Sequence, residues 1–444
     1  MIIKLSDSFT YKKLIRFTFP SINMMIFSSI YGVVDGFFVS NFVGKTPFAA
    51  VNFIFPFIMV LGAFGFMFGT GGSALVSKTM GEGDKERANK IFSMIIYISI
   101  AFGTLISIAG IIFIRPIAQF LGADGEMLEY CIIYARVILS ALPAFMLQME
   151  FQSFFIAAEK PQLGLYTTIG AGVTNMVLDV ALMGIFDLGI VGAALATALS
   201  QCVGGIIPLF YFINKNNKSL LHLSKAKLDV RSLMKVCTNG SSELMSNISM
   251  SLVGMLYNFQ LMKYAGEDGV AAYGVLMYIS FIFISIFIGY SIGTAPIIGF
   301  HYGANNTDEL KSLLRKSVCL IGCTSILMVF IGIGFAEPLS SLFVGYDEAL
   351  FEMTLKGFII YSFSFLFCGF SIYASSFFTA LNNGIVSAVI SFLRTLLFQS
   401  LCVLILPIFF ELDGVWFSVI VSETLAAILS VSCIYAFRKK YNYL

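Results

Sequence analysis

The chain has 444 residues, 58% of them hydrophobic and only 12% charged, with a formal net charge of +2 and a mean hydropathy of +0.90. Soluble domains carry about 25% charged residues, so this chain has too little charge to cover a water-facing surface. A soluble enzyme, a nucleic-acid binder and a disordered protein are excluded, which leaves an all-α polytopic membrane protein.

A membrane-crossing helix takes about 20 mostly apolar residues. Twelve runs qualify in chain order: 14–41, 47–77, 90–114, 131–158, 163–186, 190–213, 236–262, 270–300, 317–337, 355–381, 385–410 and 414–437. Several exceed about 25 residues and are expected to tilt or to extend past the hydrocarbon. The first run is too long for a cleavable signal, and no small-residue cleavage site follows it.

A shift of 222 residues, half the length, brings the punctuation into register. Gly44 meets Gly266, Ala49-Ala50 meets Ala271-Ala272, Gly81 meets Gly303, Pro116 meets Pro338, Ala158 meets Ala380 and Gly192 meets Gly414. Six helices per half is an even number, so both halves begin on the same side. That predicts two pseudo-symmetric six-helix lobes, 1–220 and 221–444, related by an axis along the membrane normal. Lys and Arg number 21 on the side of the termini and of the 214–235 loop, and five on the other, with Arg394 inside a helix. Both termini and that loop are therefore expected in the cytoplasm, with the chain in the plasma membrane.

Gly44-Lys45-Thr46 resembles the end of a P-loop, but the glycine needed five residues earlier is Val39. The tripeptide reads as a turn. His222 and His301 fall in predicted cytoplasmic loops, and no Ser/His/Asp set, metal cluster or CxxC pair is visible. The eight cysteines lie mostly in apolar runs and read as small apolar side chains. No cofactor is expected, and energy is expected from an ion gradient.

Ionisable groups inside a membrane cost about 3 kcal/mol or more each and mark function by default. They are Asp35 in helix 1, Glu150 in helix 4, Asp179 in helix 5, Glu243 in helix 7, Arg394 in helix 11 and Glu423 in helix 12. Asn175 and Asp179 are four apart and share a helix face, and Thr197 can point a hydroxyl into the same bundle from helix 6. Two carboxylates, an amide oxygen and a hydroxyl suit a hard cation such as Na⁺ and suit a proton equally.

Each of these residues also has a plainer structural role. Asp35 and Asp179 can be neutral hydrogen-bonded packing groups, and Asn175 and Thr197 interhelical contacts. Glu243 can reach water at a helix end. Arg394 can partner a carboxylate, Glu423 can make an interhelical hydrogen bond, and Glu150, among Gln148 and Gln152, can be satisfied polar packing or cavity lining. The 47 Phe and 20 Met mostly face lipid or neighbouring helices. Any that line a cavity would suit organic cations of varied shape.

Pro20 with SSIYGVVDGFFVSNFVG (28–44), GTGGSALVSKTMGEGD (69–84), AAEKP (157–161), TNMVLDVAL (174–182) and DLGIVGAALATALSQ (187–201) form an ordered set on the duplication. In this the chain resembles the bacterial multidrug and toxin extrusion transporters over essentially its whole length. The resemblance implies an efflux antiporter driven by inward Na⁺ or H⁺ that exports small organic, mainly cationic, compounds. It implies a cation site at Asp35, Asn175, Asp179 and Thr197, with Pro20 as the helix 1 proline whose bending couples the site to the cavity. Some relatives use a helix 7 glutamate and a helix 10 aspartate. Glu243 matches the first loosely, and helix 10 has no acid. A monomer surrounded by membrane lipid, binding no nucleic acid, is expected. The rival readings are an ion-driven flippase for lipid-linked glycans, which would favour a strongly cationic groove, and the permease of an ATP-driven complex.

Overall fold

The computed structural model describes residues 3–214, 216–217, 219–345 and 347–443. Lys215 and Lys218 of the linking loop, and the side chains of Ser40 and Lys45, lie outside the described residues. Twelve spans emerge, numbered α1 to α12. They are α1 (Tyr11–Phe42), α2 (Lys45–Gly81), α3 (Lys85–Leu121), α4 (Gly125–Ser140 with Leu142–Ala157), α5 (Pro161–Ile185), α6 (Gly189–Ile213), α7 and α8 (230–265 and 267–303), α9 (Thr307–Val344), α10 (Glu348–Ser362 with Phe365–Ala380), α11 (384–410) and α12 (412–441). The predicted runs fall inside these helices except at 158, 186 and 381, each one residue past a helix end, and the helices project beyond the runs at most other ends.

Local chemistry sets the boundaries. Thr10, Asp84, Asp229, Asn306 and Asp347 each accept a hydrogen bond from a first-turn N–H of the helix that follows, satisfying donors that have no partner in the helix itself. The duplication is visible in the backbone. Positive φ occurs at Gly44 and Gly266, at Gly83 and Asn305, at Glu159 and Asn382, and at Gly189 and Glu411. α4 bends by 57° and α10 by 50°, each at its middle break.

Buried apolar residues form two clusters. One holds the first six spans with Leu221, Leu223 and Val236 of the linker and α7. The other holds the last six spans and also takes Leu5, Phe9, Leu14, Phe17, Met24 and Met25. The first half of α1 is thus embedded in the C-terminal lobe. Residues ahead of it strap across the face that carries the termini. The Leu5 N–H donates to Glu159 at 2.6 Å, the Phe9 N–H donates to Glu309 at 2.8 Å, and Lys316 donates to the Phe9 carbonyl. His301, expected in a loop, instead sits in the last turn of α8 at 2% exposure, edge-on to Phe9. α8 runs on to Gly303, and the strap then covers its end.

The lobes touch through glycines on this same face. A Cβ at Gly71 would lie 2.1 Å from the Val236 carbonyl, one at Gly240 1.9 Å from the Met67 carbonyl, and one at Gly81 2.0 Å from the Phe300 carbonyl. A Cβ at Gly303 would lie 2.0 Å from the Lys78 carbonyl, and one at Gly289 2.6 Å from the Ile22 Cα. Only the missing side chain lets these helices approach so closely. Asn382 locks the seam by accepting from Asn239 at 2.7 Å and donating to the Ala74 carbonyl at 3.3 Å. Toward the opposite face, Gly32 and Gly36 of α1 and Gly254 and Gly274 of α7 and α8 have nothing within 4 Å of a Cβ.

Candidate functional site

α1, α5 and α6 bring four predicted residues together in the half of the N-terminal lobe away from the termini. Two glycines make the meeting possible. At Gly172 a Cβ would stand 2.5 Å from the Phe27 ring, so α5 lies directly on α1; at Gly192 it would stand 3.0 Å from the Leu182 main chain, so α6 lies directly on α5. The last six residues of α5, Val180–Ile185, form a π-helical turn that begins right after Asp179, a widening often found at functional positions.

Asn175 Nδ2 donates to Asp35 Oδ1 at 3.2 Å. The Asp35 carboxyl also stands beside Asp179 and Thr197. Thr197 donates to the Ala193 carbonyl at 3.1 Å, which leaves its lone pairs available. Asp179 is 0% exposed and Asn175 is 1% exposed, yet both Asp179 oxygens and Asn175 Oδ1 lack a hydrogen-bond partner among the described residues. A buried carboxyl without a donor is costly, and two adjacent carboxylates repel unless a proton or a metal cation sits with them. The unpartnered atoms are all oxygens, which fits a small hard cation and fits a shared proton.

Tyr134 of α4 completes the enclosure. It is buried, and its hydroxyl reaches Thr197 close to both aspartates. Sequence reasoning missed it; the one available signal was a polar tip inside an apolar run.

The other predicted residues lie elsewhere. Glu150 is buried inside the N-terminal lobe, where it accepts a hydrogen bond from the Ser99 hydroxyl and backs onto Gly69. Pro20 is buried at the lobe seam, next to the Ser21–Ile22 main chain that meets Gly289. In the C-terminal lobe Arg394 grips Glu423 with Nε at 2.9 and 3.1 Å and a terminal nitrogen at 2.9 Å. A second π-helical turn, Leu393–Phe398, surrounds Arg394. Half-buried Glu243 of α7 lies in the field of that arginine. On the face away from the termini Lys356 pairs with Asp413 at 2.6 Å. Among the described residues no three His, Cys, Asp or Glu side chains cluster to hold a metal.

The chain is similar to known proteins along its whole length. It is 25% identical over 440 residues to the multidrug export protein MepA of Staphylococcus haemolyticus, covering 98% of this chain and 95% of that one. To MepA of Staphylococcus aureus (strain MRSA252) it is 24% identical over 437 residues, covering 97% and 94%. Its fold is that of a MATE transporter solved in complex with MaL6, with a TM-score of 0.91 at 24% identity over 97% of this chain and 98% of that one. It is also that of a multidrug resistance MATE family transporter solved in an outward-facing conformation, with a TM-score of 0.91 at 23% identity over 97% and 98%. The MatE family profile matches twice, over residues 20–181 and 244–405, one match to each half of the duplication. With twelve spans, two lobes and both matches in register, the chain belongs to the MatE family of multidrug and toxin extrusion transporters.

Proposed function

We propose that this chain is a cation-coupled efflux antiporter that exports organic, mainly cationic, compounds across the plasma membrane. It works as a monomer, with both termini in the cytoplasm and lobes 1–220 and 221–444 rocking about the seam. It carries out no covalent chemistry and uses no resident cofactor. The observation that carries the reading is the oxygen cluster of half-buried Asp35 and Thr197 with buried Asn175 and Asp179, whose oxygens include three without a partner among the described residues. The similarity to multidrug export proteins supports the substrate class.

The arrangement supports a two-state cycle. The lobes are sealed at the terminal face, and the cluster lies in the half beyond that seal. A Na⁺ or a proton arriving from outside cancels one of the two negative charges of Asp35 and Asp179, and with it their mutual repulsion. Removing that repulsion lets α1, α5 and α6 close up, which disfavours the drug-bound arrangement. The membrane potential adds roughly 2.3 kcal/mol per charge per 100 mV, comparable to the gap between two states a few kcal/mol apart. Exposed Met255 and Phe259 on α7 offer adaptable surface for organic cations.

Reconstitution in liposomes tests the reading. Ethidium-type transport is followed under separately imposed Na⁺ and pH gradients. Transport under one gradient, lost in Asp35→Asn, is expected and names the coupling ion. Equal transport by wild type and Asp35→Asn would sink the site.

A further inference from the structure

The terminal face carries two adjoining clefts unrelated to the oxygen cluster. The first, about 640 Å³, is lined by Lys78 of α2, Arg87 of α3, and Arg231 and Lys235 of α7, with Leu75 and Met234 as its apolar wall. The second, about 860 Å³, shares Arg87 and adds Lys90, Tyr97, Lys225, Lys227 and Asp229. Among the described residues no carboxylate lines the first cleft. Lys78 has Glu82 at 3.4 Å and Lys90 has Glu86 at 2.6 Å; among the described residues Arg87, Arg231 and Lys235 have no ion pair within 4 Å. Lys78 and Lys440 both stand close enough to Lys235 to repel it. Like charges drawn from both lobes therefore converge on one concave site that no carboxylate of the described residues lines.

The rim is as informative as the charges. Leu228, Val230 and Met234 are 60–65% exposed and alternate with Lys225, Lys227, Arg231 and Lys235 along residues 225–235. A free phosphate or a nucleotide has no use for exposed aliphatic side chains beside its binding cations. A lipid uses both, with its phosphate among the cations and its chains against the apolar lip.

We propose that this cleft binds the phosphate of an anionic phospholipid in the leaflet at the terminal face, bridging α2 and α3 of one lobe to α7 of the other. The bridge lies beside the Gly71–Val236 and Gly240–Met67 contacts, so a bound lipid favours the arrangement sealed on that face. The proposal needs the chain to span a membrane; it does not depend on which ion drives transport or on which compound is exported.

The test is binding, read apart from transport. The full-length protein in neutral detergent is titrated with phosphatidylglycerol, phosphatidylcholine or inorganic phosphate, and thermal stability and native mass spectra are recorded. Phosphatidylglycerol is expected to bind and raise the melting temperature, with little effect from the other two. Arg231→Ala with Lys235→Ala is expected to weaken phosphatidylglycerol binding roughly thirtyfold, at about tenfold or less per cation removed, while melting as wild type in phosphatidylcholine. Lys235→Gln, a single change at an exposed position, gives the same direction of effect if the double variant folds poorly. Arg438→Ala with Lys439→Ala, at the end of α12, is expected to bind as wild type. Undiminished phosphatidylglycerol binding in both cleft variants would overturn the site, and full stabilisation by inorganic phosphate alone would overturn the lipid.

Discussion

The two lobes share one backbone plan and hold different chemistry in it. At the shift of 222 residues Asp35 faces Tyr257, Asn175 faces Leu397, Asp179 faces Leu401 and Thr197 faces Val419. Conversely Glu243, Arg394 and Glu423 face Ser21, Gly172 and Gln201. The N-terminal lobe therefore keeps two adjacent carboxyls, and of these Asp179 has both oxygens unpartnered among the described residues. The C-terminal lobe fills the Asp35 position with a tyrosine stacked on Tyr273 at 5.0 Å and joins Arg394 to Glu423 in an ion pair, with Glu243 nearby. Each lobe has a π-helical turn at its polar residue, after Asp179 in one and around Arg394 in the other. A duplicated scaffold can thus split its work: the lobe with unpaired carboxyl oxygens fits a cation, and in the other lobe Arg394 and Glu423 satisfy each other.

That contrast can be broken most severely at the oxygen cluster. Asp35→Asn and Asp179→Asn are each expected to lower gradient-driven transport at least about tenfold with insertion unchanged, measured in liposomes. Tyr257→Phe, at the Asp35 position of the other lobe, removes only an unpartnered buried hydroxyl. It is expected to leave transport within about twofold, and a loss as large as that of Asp35→Asn would erase the distinction between the lobes. The matched pair gives the next effect. Arg394→Leu leaves Glu423 buried and unpaired, at a cost of about 3–5 kcal/mol, and Arg394→Leu with Glu423→Leu should recover most of it. Unfolding midpoints of the three proteins decide the matter.

Smaller effects are expected where the lobes meet. Gly240→Ala and Gly303→Ala each place a methyl at about 2 Å from a main-chain oxygen, and overpacking of this kind costs about 1–3 kcal/mol. The penalty falls on the state sealed at the terminal face, so labelling of cysteines placed on that side should increase. Unchanged labelling would mean that the seam does not control access. The smallest effect belongs to the strap. Lys316→Ala removes donors to the Phe9 carbonyl and the Ser312 hydroxyl and should lower stability by about 1 kcal/mol without changing which ion drives transport.

Much of this was legible in the sequence because a membrane magnifies two signals. Twelve apolar runs had to be helices, since unpaired backbone in hydrocarbon is prohibitive. Gly44 and Gly266, and Gly81 and Gly303, showed the duplication because positive φ and close helix contact each exclude a side chain. Asp35 and Asp179 stood out because a carboxyl in a membrane needs a reason. Tyr134 did not stand out, because a tyrosine in an apolar run is unremarkable until its neighbours are known. His301 was misplaced because nothing local says that α8 continues past Phe300 or that residues 3–10 fold back over it.

The sequence by itself determined the class, the spans, the repeat and the identity of the charged residues inside the spans. These follow from composition, run length and local turn chemistry, which act over a few residues. Only the tertiary structure decided that Arg394 and Glu423 satisfy each other while Asp35 and Asp179 do not, that α1 is shared between the lobes, and that Lys78, Arg87, Arg231 and Lys235 converge. Those outcomes depend on distances between helices far apart in the chain, and those distances are set by where glycine allows two backbones to touch.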